Sequence, residues 1–385
     1  MCKCLYCYQD LEEGQVDYHP ACARKFFGSN MVPILPYTRD NMSDLARQVI
    51  RTSASVPGVQ AKMSLDVNRG GKNEPSKFTI VGLWGKYIFK PQSGKYPCLP
   101  ELEDLTMKMA EAARIRTARH TLIRMADGEL GYLTIRMDRG RKGEKISMLD
   151  LCQLSNRLTE HKYYGTYQQL AETVKRYSTA PMLDVQRYWE MVLFSWLTGN
   201  SDMHCKNFSL VDTGGGKYAL APAYDLLAVL LADPNDTEEM AMSFSVGGAK
   251  TGFDRNTFMT AFTQSGIPAA VAGRIINRMK GYLPVWEGLI DQSFLPDKMK
   301  KDYCSLLRKR IDLLYSHAVG QPLFLHDDLH YFVDVGLGRK HNRDGVLLCS
   351  CCVLLCFTYF HAPSVHTDTQ GFARIIPLPR LEELS

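Results

Sequence analysis

Apolar side chains at positions 185, 188, 189, 192, 193, 196 and 197 make an unbroken stripe at the helical period, and Gly199 ends it. The spacing predicts a buried helix over Val185–Leu197 and places the next loop at the end of a rigid element. From about residue 145 to 316 the pattern remains helical. Upstream, between residue 52 and about 138, it is different. β-Branched and aromatic runs between glycine and proline breaks predict strands such as Lys77–Val81 and Lys86–Lys90, with one helix near Leu102–Arg114. A strand-rich lobe followed by a helical one is an α+β arrangement with a cleft between the two.

The ends of the chain read differently. Residues 1–28 form a Cys/His segment closed by Arg24-Lys-Phe-Phe-Gly28, and residues 29–51 form a connector with Pro33, Pro36 and a helical stretch near Met42–Arg51. The first lobe is expected over 52–138, the second over 139–320, and 321–385 is a tail of uncertain structure. Gly345–Phe360 is sixteen residues without a charge, short of the roughly 20 that a spanning helix needs. It is expected to pack on the body or to form an extension, with no membrane role. Cys349, Cys351, Cys352 and Cys356 follow one another too closely for a tetrahedral site.

Composition narrows the classes. The 385 residues are 45% hydrophobic and 23% charged, as in globular proteins, which excludes wholesale disorder, collagen and coiled coil. Lys+Arg 46 against Asp+Glu 41 leaves +5, too thin an excess to argue a nucleic-acid surface, so nucleic acid is expected only through a partner. The start of the chain shows no apolar run of the secretory kind. Twelve cysteines, crowded at the two ends, do not read as a disulfide framework. A reducing cytoplasm with one metal site fits better.

The chemistry concentrates after the striped helix, in Asn200-Ser-Asp-Met-His-Cys-Lys-Asn-Phe-Ser-Leu210. Asp202 precedes Asn207 by the spacing of a kinase catalytic loop, in which the acid accepts a hydroxyl proton and the amide holds magnesium. Phe208–Val211 and Lys217–Leu220 flank a glycine-rich turn as a hairpin, and Ala221-Pro-Ala-Tyr-Asp225 then delivers a second acid where a kinase places its metal-binding Asp. The pair Asp202 and Asn207 alone would read as a capping residue and a turn. Helix, polar loop, hairpin and second acid in that order favour phosphoryl transfer.

A lysine must also meet the phosphates. In Lys86-Tyr-Ile-Phe-Lys90, alternation puts Tyr87 and Phe89 on one face and Ile88 and Lys90 on the other, so Lys90 can face the cleft. Glu103 is its candidate partner, with Glu101 and Asp104 as rivals. No glycine-rich GxGxxG loop and no Walker A is present. Instead Ser53-Ala-Ser-Val-Pro-Gly-Val-Gln-Ala-Lys62 precedes a strand, and Ser55, Gly58, Gln60 and Lys62 could present donors to phosphate.

Taken together, Ser55 through Lys62, Ile88-Phe-Lys-Pro91, Asn200 through Leu210 and Ala221 through Asp225 resemble the HipA family of bacterial toxin kinases. The resemblance covers roughly residues 50 to 316. It implies a protein-kinase-like bilobal fold with a β-rich N-lobe and an all-α C-lobe, and an ATP- and Mg2+-dependent serine/threonine kinase. It also implies Asp202 as base, His204 as a supporting loop residue, Asn207 and Asp225 as magnesium ligands, and Lys90 at the phosphates. Loop serines in the family are autophosphorylated and can switch off ATP binding. Ser55, then Ser53, occupy that stretch. The chain lacks a substantial N-terminal β-rich subdomain and looks like the shorter HipT-type kinases, or like the kinase half of a split system with a small separate partner. Family substrates are aminoacyl-tRNA synthetases, and family partners are HipB-like helix-turn-helix antitoxins.

At the front, Cys4-x-x-Cys7 and His19-x-x-Cys22 give two ligand knuckles. Three thiolates and an imidazole suit tetrahedral Zn2+, and so short a segment cannot fold on apolar burial alone. The Arg24–Phe27 run is expected to pack this knuckle on the kinase body. Two other functions compete: a non-catalytic pseudokinase scaffold for a DNA-binding partner, and a small-molecule phosphotransferase with the same loop.

Overall fold

The computed structural model describes residues 2–41, 62–68, 74–81, 84–140, 142–245 and 247–315, together with the backbone of His366–Thr367 and Ala373–Arg374. The expected helix near 42–51, the loop residues Ser53, Ser55, Gly58 and Gln60, and the apolar stretch 345–360 lie outside these residues. By contacts the chain divides into Met1–His317 and Ala318–Ser385. In the second unit the described pairs form one short antiparallel ladder.

The chain opens with the Cys/His segment and helix α1 (Pro20–Phe27), which has proline in its first turn and ends on Gly28 in the left-handed region. Strands β1 (Met63–Asn68), β2 (Lys77–Ile80) and β3 (Tyr87–Lys90) precede helix α2 (Leu99–Ala112), and β4 (His120–Arg124) and β5 (Leu130–Ile135) follow it. These five strands form one antiparallel sheet in the order β2-β1-β3-β5-β4. Its inner face buries Leu65, Phe78, Tyr87, Phe89 and Leu133, so Tyr87 and Phe89 share a core face as alternation requires. Phe26 of α1 joins that core, 6.3 Å from the Tyr87 ring, and Phe27 lies 6.3 Å from Phe78. The basic-aromatic run therefore packs the Cys/His segment onto the sheet.

The second lobe begins with β6 (Met148–Asp150) and the short α3 (Leu151–Leu154), then α4 (Tyr167–Tyr177) and α5 (Pro181–Leu197). Strands β7 (Ser209–Asp212) and β8 (Tyr218–Leu220) form the hairpin, and β6 pairs with β7 as a third strand that the sequence pattern does not reveal. Helices α6 (Val229–Ala232), α7 (Arg255–Gln264), α8 (Ala269–Gly281), α9 (Leu283–Gln292) and α10 (Asp297–Tyr315) complete the lobe. The stripe of α5 is wholly buried: Val185, Tyr188, Trp189, Val192, Leu193, Trp196 and Leu197 are inaccessible to solvent. Burying side chains of that size contributes on the order of 2 kcal/mol each, which makes the C-terminal end of α5 a rigid anchor. Among the described residues no helix is long and apolar enough to cross a membrane.

Candidate active site and metal centre

Helix α5 stops at Gly199, whose φ of 76° lies in the left-handed region. A Cβ there would also meet Leu306 Cδ2 at 2.6 Å, so a larger residue would need that side chain to shift as well as a strained backbone. The loop that leaves it is pinned along its length. Ser201 donates to Asp236 at 2.5 Å, Tyr167 donates to the Met203 carbonyl at 2.8 Å, and Cys205–Asn207 forms a single 3-10 turn. The Asn207 amide nitrogen donates to the Asp202 carbonyl at 3.1 Å, so of its two polar side-chain atoms the oxygen is the one that could meet a cation. Asp202 is half exposed and accepts from the Tyr163 hydroxyl at 2.8 Å.

His204 lies behind this loop, its Nε2 4.0 Å from Asp202 Oδ2 and its Nδ1 buried without a hydrogen-bond partner. Burial holds its pKa below the ordinary value, against the pull of Asp202. The ring packs edge-on against Tyr163, 5.2 Å between centroids.

Asp225 follows the hairpin and takes φ of 59°, a conformation that costs a non-glycine residue about 1 kcal/mol. Its approach is fixed from the first lobe, because Ala223 exchanges backbone bonds with Arg116 and Ala118 at 2.7 and 2.8 Å. The Asp225 carboxylate faces two lysines: Lys62 at 2.8 Å on Oδ2, and Lys90 on Oδ1. Lys90 in turn meets Glu103 Oε1 at 2.5 Å, and both are buried. The four residues form one chain of charge from the start of β1 to α2.

Their titration follows from that chain. Burial alone would lower the Lys90 pKa, but Asp225 and Glu103 outweigh it and the net shift is upward. Burial would raise Asp225, yet Lys62 and Lys90 hold it far below the usual carboxylate range. Glu103 stays above its ordinary value because burial exceeds the help from Lys90. Of the two rivals for Lys90, Asp104 is turned to His120 and Tyr8, at 2.6 Å each. Glu101 sits in a separate, partly buried position, where desolvation pushes its pKa up to about 7.

A cavity of about 740 Å3 opens over these groups, lined by Lys62, Tyr163, Asp202, Asn207 and Asp225 among others. Lys90 and Glu103 stand directly behind Asp225. The sequence-predicted Asp202, Asn207, Asp225, Lys62, Lys90 and Glu103 thus converge, with His204 beside Asp202, while Ser53, Ser55, Gly58 and Gln60 lie outside the described residues. Sequence reasoning missed Tyr163. It belongs to no periodic pattern, and only the polar-aromatic run His161-Lys-Tyr-Tyr164 hints at a functional loop.

A second constellation stands at the front of the chain. The ligand atoms of Cys4, Cys7, His19 and Cys22 all lie within 4.8 Å of one another. His19 Nδ1 is 3.4 Å from Cys7 Sγ and 3.8 Å from Cys22 Sγ. Zinc bonds of ~2.0–2.3 Å in a tetrahedron give ligand separations of roughly 3.5–3.8 Å, which the two histidine–thiol distances match to about 0.1 Å. The other ring nitrogen, Nε2, is 3.0 Å from the Asp10 carbonyl, a partner that would fix Nδ1 as the metal-facing atom. Cys4 is buried, and although burial raises its pKa, the backbone amides of His19, Cys7 and Tyr6 bring the net below the ordinary thiol value.

Comparison with known proteins shows the family and the fold. A Haemophilus influenzae protein named "Putative kinase" is 25% identical over 208 residues, 51% of this chain and 59% of that protein. "Putative kinase Y4mE" of Sinorhizobium fredii is 29% identical over 234 residues, 58% of this chain and 54% of the relative. The chain thus spans little more than half the length of these relatives. Among solved structures, the Shewanella oneidensis MR-1 toxin–antitoxin system HipA, HipB and its operator DNA contains a chain that superposes with a TM-score of 0.55. That superposition covers 79% of this chain and 80% of the other at 18% identity, and it shows a shared protein-kinase-like fold. The family described as "HipA-like C-terminal domain" matches residues 54–286. That match covers more than half of the sequence, and the chain belongs to the HipA-like C-terminal domain family.

Proposed function

We propose that this protein is an ATP- and magnesium-dependent serine/threonine kinase of the HipA toxin type that phosphorylates a protein target and its own loop. The observation that carries the reading is the position of Lys90, whose ammonium meets both Glu103 and Asp225 while Asp202 and Asn207 line the adjoining cavity. A lysine tied to a helix glutamate beside a metal-binding acid is the arrangement phosphoryl transfer uses.

Each residue has a task. Asp202 accepts the proton of the attacking serine hydroxyl, and its half-exposed carboxylate is accessible to a protein side chain. Asn207 and Asp225 offer an amide oxygen and a carboxylate, a hard oxygen set that suits Mg2+. When bound, that ion neutralises charge on the transferring phosphate. Lys62 and Lys90 now share Asp225, and an entering polyphosphate offers both ammonium groups a second anion.

The finer assignments rest on the family. Ser55, then Ser53, is the autophosphorylation site. A phosphate of about −1.5 to −2 charge there could not share the pocket with nucleotide phosphates. The target is a protein, with an aminoacyl-tRNA synthetase as the class the family suggests. A HipB-like antitoxin is the proposed partner, by analogy with the Shewanella oneidensis complex.

Purified protein given ATP and magnesium should gain phosphate mass on a peptide spanning residues 53–62, and Asp202→Asn should abolish the gain while nucleotide still binds. Equal labelling of the Asp202→Asn protein refutes the assignment. A phosphoproteomic comparison of cells expressing the two forms identifies the target.

A further inference from the structure

The Cys/His segment does more than decorate the amino terminus. Its first knuckle is wedged against the helix that carries Glu103. Tyr8, just past Cys7, takes φ of 66°, a strained conformation for a tyrosine, while its amide bonds the Cys4 carbonyl at 2.9 Å. That turn drives the Tyr8 side chain into the protein, where it is inaccessible to solvent and donates to Asp104 Oδ2 at 2.6 Å. Asp104 is the neighbour of Glu103 on α2. One turn on, Lys108 donates to the Tyr6 carbonyl at 2.5 Å and lies over the Tyr6 and Tyr8 rings at 5.1 and 5.0 Å.

The same segment reaches both lobes. Tyr18 donates to the Leu122 carbonyl of β4, and Thr121 donates to the Leu5 carbonyl at 3.3 Å. On the other side Tyr8 packs edge-on to Phe294 at 5.2 Å, and Lys3 donates to the Gln292 carbonyl at the end of α9 at 2.9 Å. Leu5, Tyr8 and Tyr18 are buried in the main core, so packing holds the segment on the body, and a cross-link between the two knuckles would fix the Cys4–Cys7 turn that aims Tyr8.

We propose that Cys4, Cys7, His19 and Cys22 bind one zinc ion and that the loaded knuckle, through Tyr8 and Lys108, clamps α2 where Glu103 meets Lys90. The clamp rests on the kinase reading only for its consequence, because Glu103 matters to phosphoryl transfer only if Lys90 does. Zinc holds Cys4 and Cys7 together, the Cys4–Cys7 turn holds Tyr8 in its left-handed conformation, and Tyr8 holds Asp104. Without the ion that turn relaxes, Asp104 loses its hydroxyl partner, and the first turns of α2 are released.

The test uses the full chain. Elemental analysis of the purified protein should find about one zinc per chain, and Cys7→Ser should lose it. Hydrogen exchange before and after a zinc-selective chelator should show at least ~10-fold faster exchange in 99–112, with α10 unchanged as the internal control. Added zinc should reverse the change and magnesium should not. Tyr8→Phe keeps all four ligands, so it should retain zinc while 99–112 exchanges several-fold faster and ATP-dependent labelling falls in step.

Protein that neither carries nor takes up zinc overturns the site. Zinc that leaves without altering exchange in 99–112, or a Tyr8→Phe protein with an unaltered helix, overturns the clamp. Loosening of every element alike would make the ion a general folding aid and would also overturn it. If zinc and exchange behave as expected but the loaded wild type transfers no phosphate, the clamp stands and the kinase reading fails.

Discussion

The Tyr163 hydroxyl donates to Asp202 Oδ1 at 2.8 Å, where the hydroxyl of an attacking serine would have to lie. Tyr163 is 40% exposed. It orients the carboxylate, and it occupies one oxygen of the proposed base. Tyr163→Phe should therefore slow phosphate transfer only about two- to ten-fold, against roughly 10²-fold or more for Asp202→Asn. Single-turnover labelling of both variants decides this. A Tyr163→Phe protein as slow as Asp202→Asn would make the tyrosine itself an acid–base group.

Lys62 would compete with magnesium at the proposed site. Its ammonium sits 2.8 Å from Asp225 Oδ2, and the Asp225 carboxylate is one of the two proposed ligands. Lys62→Met should tighten magnesium binding about two- to ten-fold in the absence of nucleotide, as measured by titration calorimetry. The Lys62 side chain is 43% exposed, so the effect is screened and should shrink between about 50 mM and 500 mM salt. Weaker magnesium binding in the variant would show that Lys62 supports the site instead of blocking it.

Glu103 presents the opposite case, since it is buried with Lys90. Removing one member of a buried pair costs roughly 3–5 kcal/mol when nothing replaces it. Asp225 remains as a second partner of Lys90, so Glu103→Gln should fall below that range, at about 2 kcal/mol in urea denaturation. The freed Lys90 should hold Asp225 more closely and weaken magnesium and ATP binding together. Unchanged nucleotide affinity in a folded Glu103→Gln protein would separate the glutamate from the site.

Much of this arrangement was legible in the chain. The α5 stripe predicts its buried helix because burial follows a period that local sequence displays. The spacing Asp202, Asn207, hairpin, Asp225 implies convergence because a short loop and a tight turn leave few alternatives. Lys90 was placed by alternation, which a strand obeys residue by residue. What was hidden is long-range. The pairing of Lys62 with Asp225 depends on a left-handed backbone that no pattern encodes at an aspartate. Strand β6 is three residues long, below the length at which periodicity speaks. Glu103, rather than Asp104, meets Lys90 because Tyr8 and His120 claim Asp104 from distant parts of the chain.

Asp104 is where pH should act on stability. It is fully buried, with His120 Nδ1 and the Tyr8 hydroxyl each at 2.6 Å and Lys108 at 3.7 Å. The His120 ring also faces Glu111 at 3.5 Å and stacks on Tyr132. Burial would raise Asp104, but Lys108 and His120 leave its pKa below the ordinary value. Burial would lower His120, but Asp104 and Glu111 leave it raised. A depressed carboxylate contributes stability that is whole above about pH 4 and lost as pH falls through its folded value. A raised histidine contributes stability that is whole below about pH 6.5 and lost as pH rises through its folded value. Both terms are therefore complete between about pH 4 and 6.5. Asp104→Asn removes the buried carboxylate and leaves His120 with only the half-exposed Glu111 as an anionic partner. The variant should lose about 3–5 kcal/mol at about pH 5.5. At about pH 8.5, where His120 is closer to neutral in both proteins, the loss should be smaller by about 1 kcal/mol or more. Urea denaturation at the two pH values measures the difference, and an equal loss at both would show that His120 carries no charge in the folded protein.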